Sequence, residues 1–333
     1  MTEAQAALDN QRKSIVNEMI MTERKYCQDL EIFQSYATAV LEADFLAEDT
    51  PVYRLLSCVE DMLSFQRNLL VLFESNWGMP WEEQRWGVPL LDTEDQFKAC
   101  YGRYAWEYPA ASKTVIDDEQ TLIALNYILN AKSELSAFIA KPVSRGCKYP
   151  LLFDCLVKVS FGHPYLEEFK AAAQAARRIA DAICESSRLA ENEWTAEMLR
   201  SRVLDWKGHH TEDFGKLLLD DVFIVTKSEI DREYHTFLFE NILLYCKEVE
   251  TDGAGNILQA APKPRPKSKS ILAKAPVARR NPRLLLKGRI LTKNVAGTDT
   301  NSPAPELILT SRPLAQPLQF QRATSIRSVF GGK

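Results

Sequence analysis

No apolar run in this 333-residue chain approaches the roughly eighteen residues that a membrane-spanning helix needs, so no helical span is expected. The opening residues MTEAQAALDNQRKS carry acidic and amide side chains where a secretory leader needs a basic stretch followed by an apolar one. A cytoplasmic chain is the expectation, with recruitment to the inner face of the plasma membrane as a further option. Cysteines stand singly at Cys27, Cys58, Cys100, Cys147, Cys155, Cys184 and Cys246; an odd count without CxxC spacing argues against a disulfide framework and against a zinc site. They read as reduced thiols, mostly buried. The sequence has no GxSxG, HExxH, GxGxxG or phosphate-binding GxxxxGK motif. Of its four histidines, His163, His209, His210 and His235, the adjacent pair cannot turn both rings onto one metal from a helix face. Covalent catalysis, a bound metal and a bound cofactor are therefore not expected.

What is present is a globular composition, 46% apolar and 26% charged, with an uneven charge. Residues 251–333 hold 15 Lys and Arg against 3 Asp and Glu, a net of +12. The preceding 250 residues hold 26 against 42, a net of −16, so the overall −4 hides an acidic body and a basic tail. The run KPRPKSKSILAKAPVARR (263–280) lacks the interleaved aromatics that stack on bases, so nucleic acid is not the expected partner. Beside an anionic membrane each such cation adds about 1 kcal/mol, which nominates Lys263, Arg265, Lys267 and Lys269 as weak lipid contacts. A merely solvated loop is the plainer alternative.

Hydrophobic spacing divides the chain. Val16, Met19, Tyr26, Leu30, Phe33, Ala37 and Val40 follow helical steps over 9–42, and further helical patterns cover 52–75, 94–112, 117–140 and 143–160. Pro142 predicts a break or kink at Lys141. A seam of Leu166, Phe169, Ala173, Ala176, Ala180 and Ile183 extends a last helix toward 204. Beyond Trp206 the period drops to two, predicting strands over 214–227, 234–249 and 283–293, with Glu240-Asn241 as a turn. The fold class is mainly α: an elongated bundle of about six helices over 9–205, then a partial β-barrel over 206–295. Residues 251–282 form a basic insertion in that barrel, and 296–333 read as a low-order tail without the last strands or a terminal helix.

Two features stand out. Glu23 falls on the apolar stripe of the first helix, where a carboxylate without a partner costs several kcal/mol. Either a neighbouring cation pairs with it, Arg24 or a lysine across the helices, or the stripe there faces a partner protein. The stretch FIAKPVSRGCKYPLLFDCLVKV (138–159) gathers Lys141, Arg145, Lys148 and Lys158 around two prolines, which suits either a solvated helix end or a docking surface.

TERKYCQDLE (22–31), FKACYGRYAWEYPAA (97–111) and FIAKPVSRGCKYPLLFDCLVK (138–158) resemble, in order and spacing, the three conserved regions of the Dbl-homology domain. That domain is the exchange module of guanine nucleotide exchange factors for Rho-family GTPases. DWKGHHTEDFGKLLLDDVF (205–223) and LLLKGRI (284–290) resemble the pleckstrin-homology domain that normally follows it, in wording nearest the fungal cell-polarity branch of the family. The resemblance covers roughly 10–295. It implies a protein that grips both switch segments of a GTPase and so releases GDP without covalent chemistry. It assigns to Glu23 a contact with switch I, to Lys141 a contact with switch II, and to Arg145 and Lys158 places on the same surface. Cys184 stands where the family usually carries an asparagine, and Ser144 where it usually carries glutamine. Those departures leave a second possibility, a GTPase-binding or membrane-associated scaffold that has lost exchange activity.

Overall fold

The computed structural model describes residues 3–43, 46–115, 128–130, 133–227, 230–249, 283–294, 306–309 and 318–322. The chain divides into two compact units, 1–191 and 192–333.

Seven α-helices are described: α1 Glu3–Glu42, α2 Pro51–Leu56, α3 Val59–Trp77, α4 Val88–Thr114, α5 Leu135–Gly146, α6 Tyr149–Val159 and α7 Leu166–Arg202. At about 1.5 Å per residue α1 is about 60 Å long, and every member of its expected stripe is buried. Thr50 caps α2 by accepting from Tyr53 N–H at 3.3 Å, while Pro51 fills the first turn, where its missing N–H is not needed. Phe65, Phe97, Tyr101 and Tyr149 join α3, α4 and α6 through ring contacts. On α7 the buried residues are Phe169, Ala172, Ala173, Ala175, Ala176, Ile179 and Ile183, a seam of small residues that lets its neighbours approach closely. At Gly146 a Cβ would fall 2.4 Å from Ile183 Cδ1, so α5 meets α7 at a point where only glycine fits without repacking.

The break expected at Pro142 lies elsewhere. Pro142 sits inside α5 with its ring buried, and the helix ends at Cys147–Lys148. Burial of the ring offsets the backbone hydrogen bond that proline cannot make. Pro150 takes the first turn of α6, a position that suits it. The expected helix over 117–140 begins, in the described part, only at Leu135; residues 116–127 and 131–132 lie outside the described residues.

In the second unit the strands are β1 Leu217–Lys227, β2 Ile230–Phe239, β3 Ile242–Val249, β4 Arg283–Leu291, β5 Glu306–Leu309 and β6 Leu318–Arg322. They form one antiparallel sheet in the order β4-β3-β2-β1-β6-β5. Glu240-Asn241 makes the β2–β3 turn, and Glu240 accepts from Lys216 N–H at 3.0 Å beside Gly215, whose φ of +74° favours glycine. Phe214, Phe237, Phe239, Leu244, Cys246, Leu284 and Leu286 form much of this unit's core, joined by Leu199 from the last turn of α7 and by Val203 just beyond it. The sheet extends past the expected end: β6 pairs with β1 and β5 with β6, inside the segment expected to be a tail. Strands of five and four residues among prolines carry too little alternation to be read by pattern. The insertion 251–282 lies outside the described residues.

One charged contact between helices sets an acid response. Glu94 on α4 accepts from Arg178 of α7 at 2.6 and 2.8 Å and from Lys98 at 2.5 Å, and these donors, Arg178 first, hold its carboxyl down at about 2. A depressed carboxyl contributes stability above its ordinary value of 4.5 and loses it as pH falls toward about 2. Glu94→Gln is therefore expected to flatten the decline of the melting temperature across that window, measured by circular dichroism at stepped pH.

Candidate functional site

The helix α1 runs antiparallel to the α5–α6 segment, and their side chains pair in sequence. Phe33 meets Phe138 (centroids 6.3 Å), Asp29 Oδ2 meets Lys141 Nζ at 2.9 Å, Glu23 meets Arg145 and Tyr149, and Arg12 Nε donates to Val159 O at 2.8 Å. The rungs descend α1 from Phe33 to Arg12 as they climb α5 and α6 from Phe138 to Val159, each from the helix face turned toward the partner.

Glu23 is fully buried. It accepts from the Arg145 guanidinium, from Gln66 Nε2 and from Tyr149 Oη at 2.9 and 3.0 Å. Every partner donates, the arrangement an ionised carboxylate takes. Gln66 Nε2 also donates to Tyr149 Oη at 2.8 Å, while Tyr101 Oη donates to Gln66 Oε1 at 2.6 Å and lies 3.0 Å from Tyr26 Oη. Arg145 Nη1 donates to Thr22 Oγ1 at 3.1 Å, and its Nε has no partner among the described residues. Burial pushes the Glu23 carboxyl up, and Arg145 and Tyr149 pull it back. Burial alone would lower Arg145, but Tyr149 and Glu23 outweigh it and hold the guanidinium protonated. Tyr26, Tyr101, Tyr104 and Tyr149 are raised well above their ordinary range, chiefly by burial.

Of the two readings of Glu23, a neighbouring cation or a facing partner, the structure shows a cation, and it is Arg145 across the helices in place of Arg24 or a lysine; the carboxylate does not reach the surface where the resemblance placed its switch I contact. Arg24 instead pairs with Glu74 at 2.6 Å. Lys141 is half-buried: its ammonium sits 2.9 Å from Asp29 and 3.6 Å from the Phe138 ring centroid, and its side chain keeps 34% exposure. Lys158 is exposed at the end of α6. Cys184 is exposed on α7 with its sulfur 3.7 Å from that of Cys147, just beyond α5. Lys148, Leu151, Cys155 and Lys158 line one outward face of α6 at helical spacing, and Leu151 is 65% exposed. The structure brings Glu23 and Arg145 together in the interior, while Lys141, Lys158 and Cys184 reach solvent on α5, α6 and α7.

Sequence reading missed Gln66, Tyr149, Asp29 and Leu151. Gln66 carried a usable signal: a polar residue at an apolar step between Leu63 and Leu69 on α3, the same anomaly that singled out Glu23. Leu151 carried none, because an apolar residue on a short helix reads as core.

Within the second unit, Arg232, Glu233, Tyr234, Lys247 and Lys287 line a hollow of about 370 Å³ on β2, β3 and β4. Three cations against one carboxylate make it net basic. Lys263, Arg265, Lys267 and Lys269 lie outside the described residues.

Residues 15–183 match the model of the RhoGEF domain, and residues 212–312 that of a pleckstrin homology domain. The chain is 37% identical over 284 residues to the Rho guanine nucleotide exchange factor scd1 of Schizosaccharomyces pombe, covering 85% of this chain and 31% of that protein. It is 34% identical over 251 residues to cell division control protein 24 of Saccharomyces cerevisiae, covering 72% of this chain and 29% of that protein. The chain thus spans about three-tenths of the length of these curated relatives. Among solved structures, the DH/PH domains of PDZ-RhoGEF, in a complex with GTP-γ-S-activated RhoA, align with a TM-score of 0.68 at 15% identity, over 97% of this chain and 91% of that one. That likeness shows the fold.

Removing one partner of a buried ion pair strands the other, at about 3–5 kcal/mol. Arg145→Met is expected to destabilise the chain by about that amount in urea unfolding, and adding Glu23→Gln to recover part of the loss. An Arg145→Met variant as stable as the parent would refute the pairing.

Proposed function

The chain belongs to the RhoGEF family, and on that premise we propose that it stimulates GDP release from a Rho-family small GTPase by stabilising the nucleotide-free state. The observation that carries the proposal is the RhoGEF match over 15–183, which falls on the unit where Lys141 of α5 reaches solvent beside Asp29 and the exposed Lys148 and Lys158 flank Leu151 of α6. An exchange factor needs no covalent chemistry. It needs contacts that favour the emptied GTPase over the GDP-bound one, and inverting a 1:99 equilibrium takes about 5.5 kcal/mol of differential binding. One interfacial hydrogen bond contributes about 1–3 kcal/mol when its loss strands a partner, so several contacts must act together.

In this proposal Lys141 reaches the GTPase by exchanging Asp29 for an acceptor on switch II, and Leu151 and Lys158 help set which GTPase fits. Glu23 joins only if donors from switch I replace Arg145, which must then find another acceptor. Cys184 offers a weak thiol where an amide would both donate and accept. By the magnitudes above, that lowers exchange without abolishing it. The pleckstrin homology unit takes anionic phospholipid as its partner, through the hollow of Arg232, Lys247 and Lys287 and the basic run 263–269, and brings the chain to the inner face of the plasma membrane.

A second reading, a GTPase-binding scaffold without exchange activity, is favoured by two observations: Glu23 is already engaged by Arg145, and position 184 lacks an amide.

Release of fluorescent GDP from a panel of Rho-type GTPases separates them. Acceleration of at least one member is expected, reduced about tenfold by Lys141→Ala and raised by Cys184→Asn. Binding in a pull-down with no acceleration of any member would leave the scaffold. Flotation with vesicles containing acidic lipid is expected to carry the chain, and paired Lys247→Glu and Lys287→Glu substitutions to weaken it. Equal flotation with neutral vesicles would remove the lipid proposal.

A further inference from the structure

Cys147 and Cys184 are distant in sequence, yet their sulfurs lie 3.7 Å apart. Their immediate neighbours also meet: the Ile183 side chain packs against Gly146, where a Cβ would have no room. Neither thiol is sealed in the core, since Cys184 is exposed and Cys147 half-buried, whereas Cys27, Cys58 and Cys246 are buried. A disulfide needs sulfurs about 2.05 Å apart, so side-chain rotation has to close a gap of about 1.7 Å. We propose that Cys147 and Cys184 form an oxidisable pair whose disulfide fastens the end of α5 to α7 and lowers nucleotide exchange. The link to exchange rests on the GTPase reading above; the disulfide itself does not.

The chemistry needs a hydroperoxide. The more accessible sulfur, Cys184 Sγ, attacks one peroxide oxygen as its thiolate. The O–O bond breaks, a sulfenic acid forms on Cys184, and the alcohol or water leaves. Cys147 Sγ then attacks Cys184 Sγ; the S–S bond forms, the S–O bond breaks, and the hydroxyl leaves as water with the Cys147 proton. Two thiols are oxidised and one peroxide is reduced. Burial, together with the neighbouring Cys184 sulfur, pushes the Cys147 thiol up to about 11. A smaller thiolate fraction at Cys147 slows the second step near neutrality.

The purified full chain is treated with hydrogen peroxide, mapped by mass spectrometry without reduction, and assayed for GDP release in parallel. A peptide linked through Cys147 and Cys184 is expected, with exchange lowered about tenfold and restored by dithiothreitol. Cys147→Ser is expected to keep the parent's exchange rate and to lose both the linked peptide and the response. Absence of the linked peptide would overturn the site. A linked peptide with unaltered exchange would overturn its regulatory role. If the reduced chain stimulates no GTPase, the exchange reading fails, and the peptide map still decides the dithiol.

Discussion

A carboxylate and a guanidinium share the interior of this helical bundle, and much of the surrounding packing answers to that. Glu23 and Arg145 lie on helices far apart in sequence, so their pairing fixes the register of α1 against α5. The charges are tolerable there because Gln66, Tyr149 and Thr22 donate to or accept from them, extending the pair into a network that also takes in Tyr101 and Tyr26. A buried pair of this kind is weak evidence for added stability, since two hydrophobic side chains of the same shape can serve as well. Its better-attested use is to select one alignment among several that apolar packing would allow. The antiparallel ladder from Phe33–Phe138 to Arg12–Val159 is the alignment selected.

Much of this was legible beforehand. The stripe on α1 and the seam on α7 are long, and long periodic patterns identify helices well. The conserved-region wording gave the domain pair, and the fold likeness agrees with it. What escaped has physical causes. Pro142 suggested an interruption because a sequence shows the missing N–H but not the packing that compensates for it. β5 and β6 are too short to alternate visibly. Glu23 was conspicuous as a polar residue on an apolar face, but which partner satisfies it depends on tertiary register, and Arg145 lies well over a hundred residues away.

The division of labour among the cations follows from their depth. Arg145 is committed to the interior, Lys141 straddles interior and surface through Asp29, and Lys158 is free to meet solvent. Arginine suits the first place, since its planar fork can serve Glu23 and Thr22 at once; lysine suits the others, where a single charge on a flexible stem reaches the surface. A surface built this way presents cations around an exposed leucine, with the Glu23 carboxylate buried behind it.

Tyr26, Tyr101, Tyr104 and Tyr149 give the bundle an internal indicator. Their phenols sit in the core, three of them bonded to one another or to Gln66 and Glu23, and none can release its proton to bulk base while the helices stay closed. In alkali their near-ultraviolet absorbance would stay that of neutral phenol until the helices part, then change in one step. Optical spectroscopy could thus follow the opening of this core with no label attached.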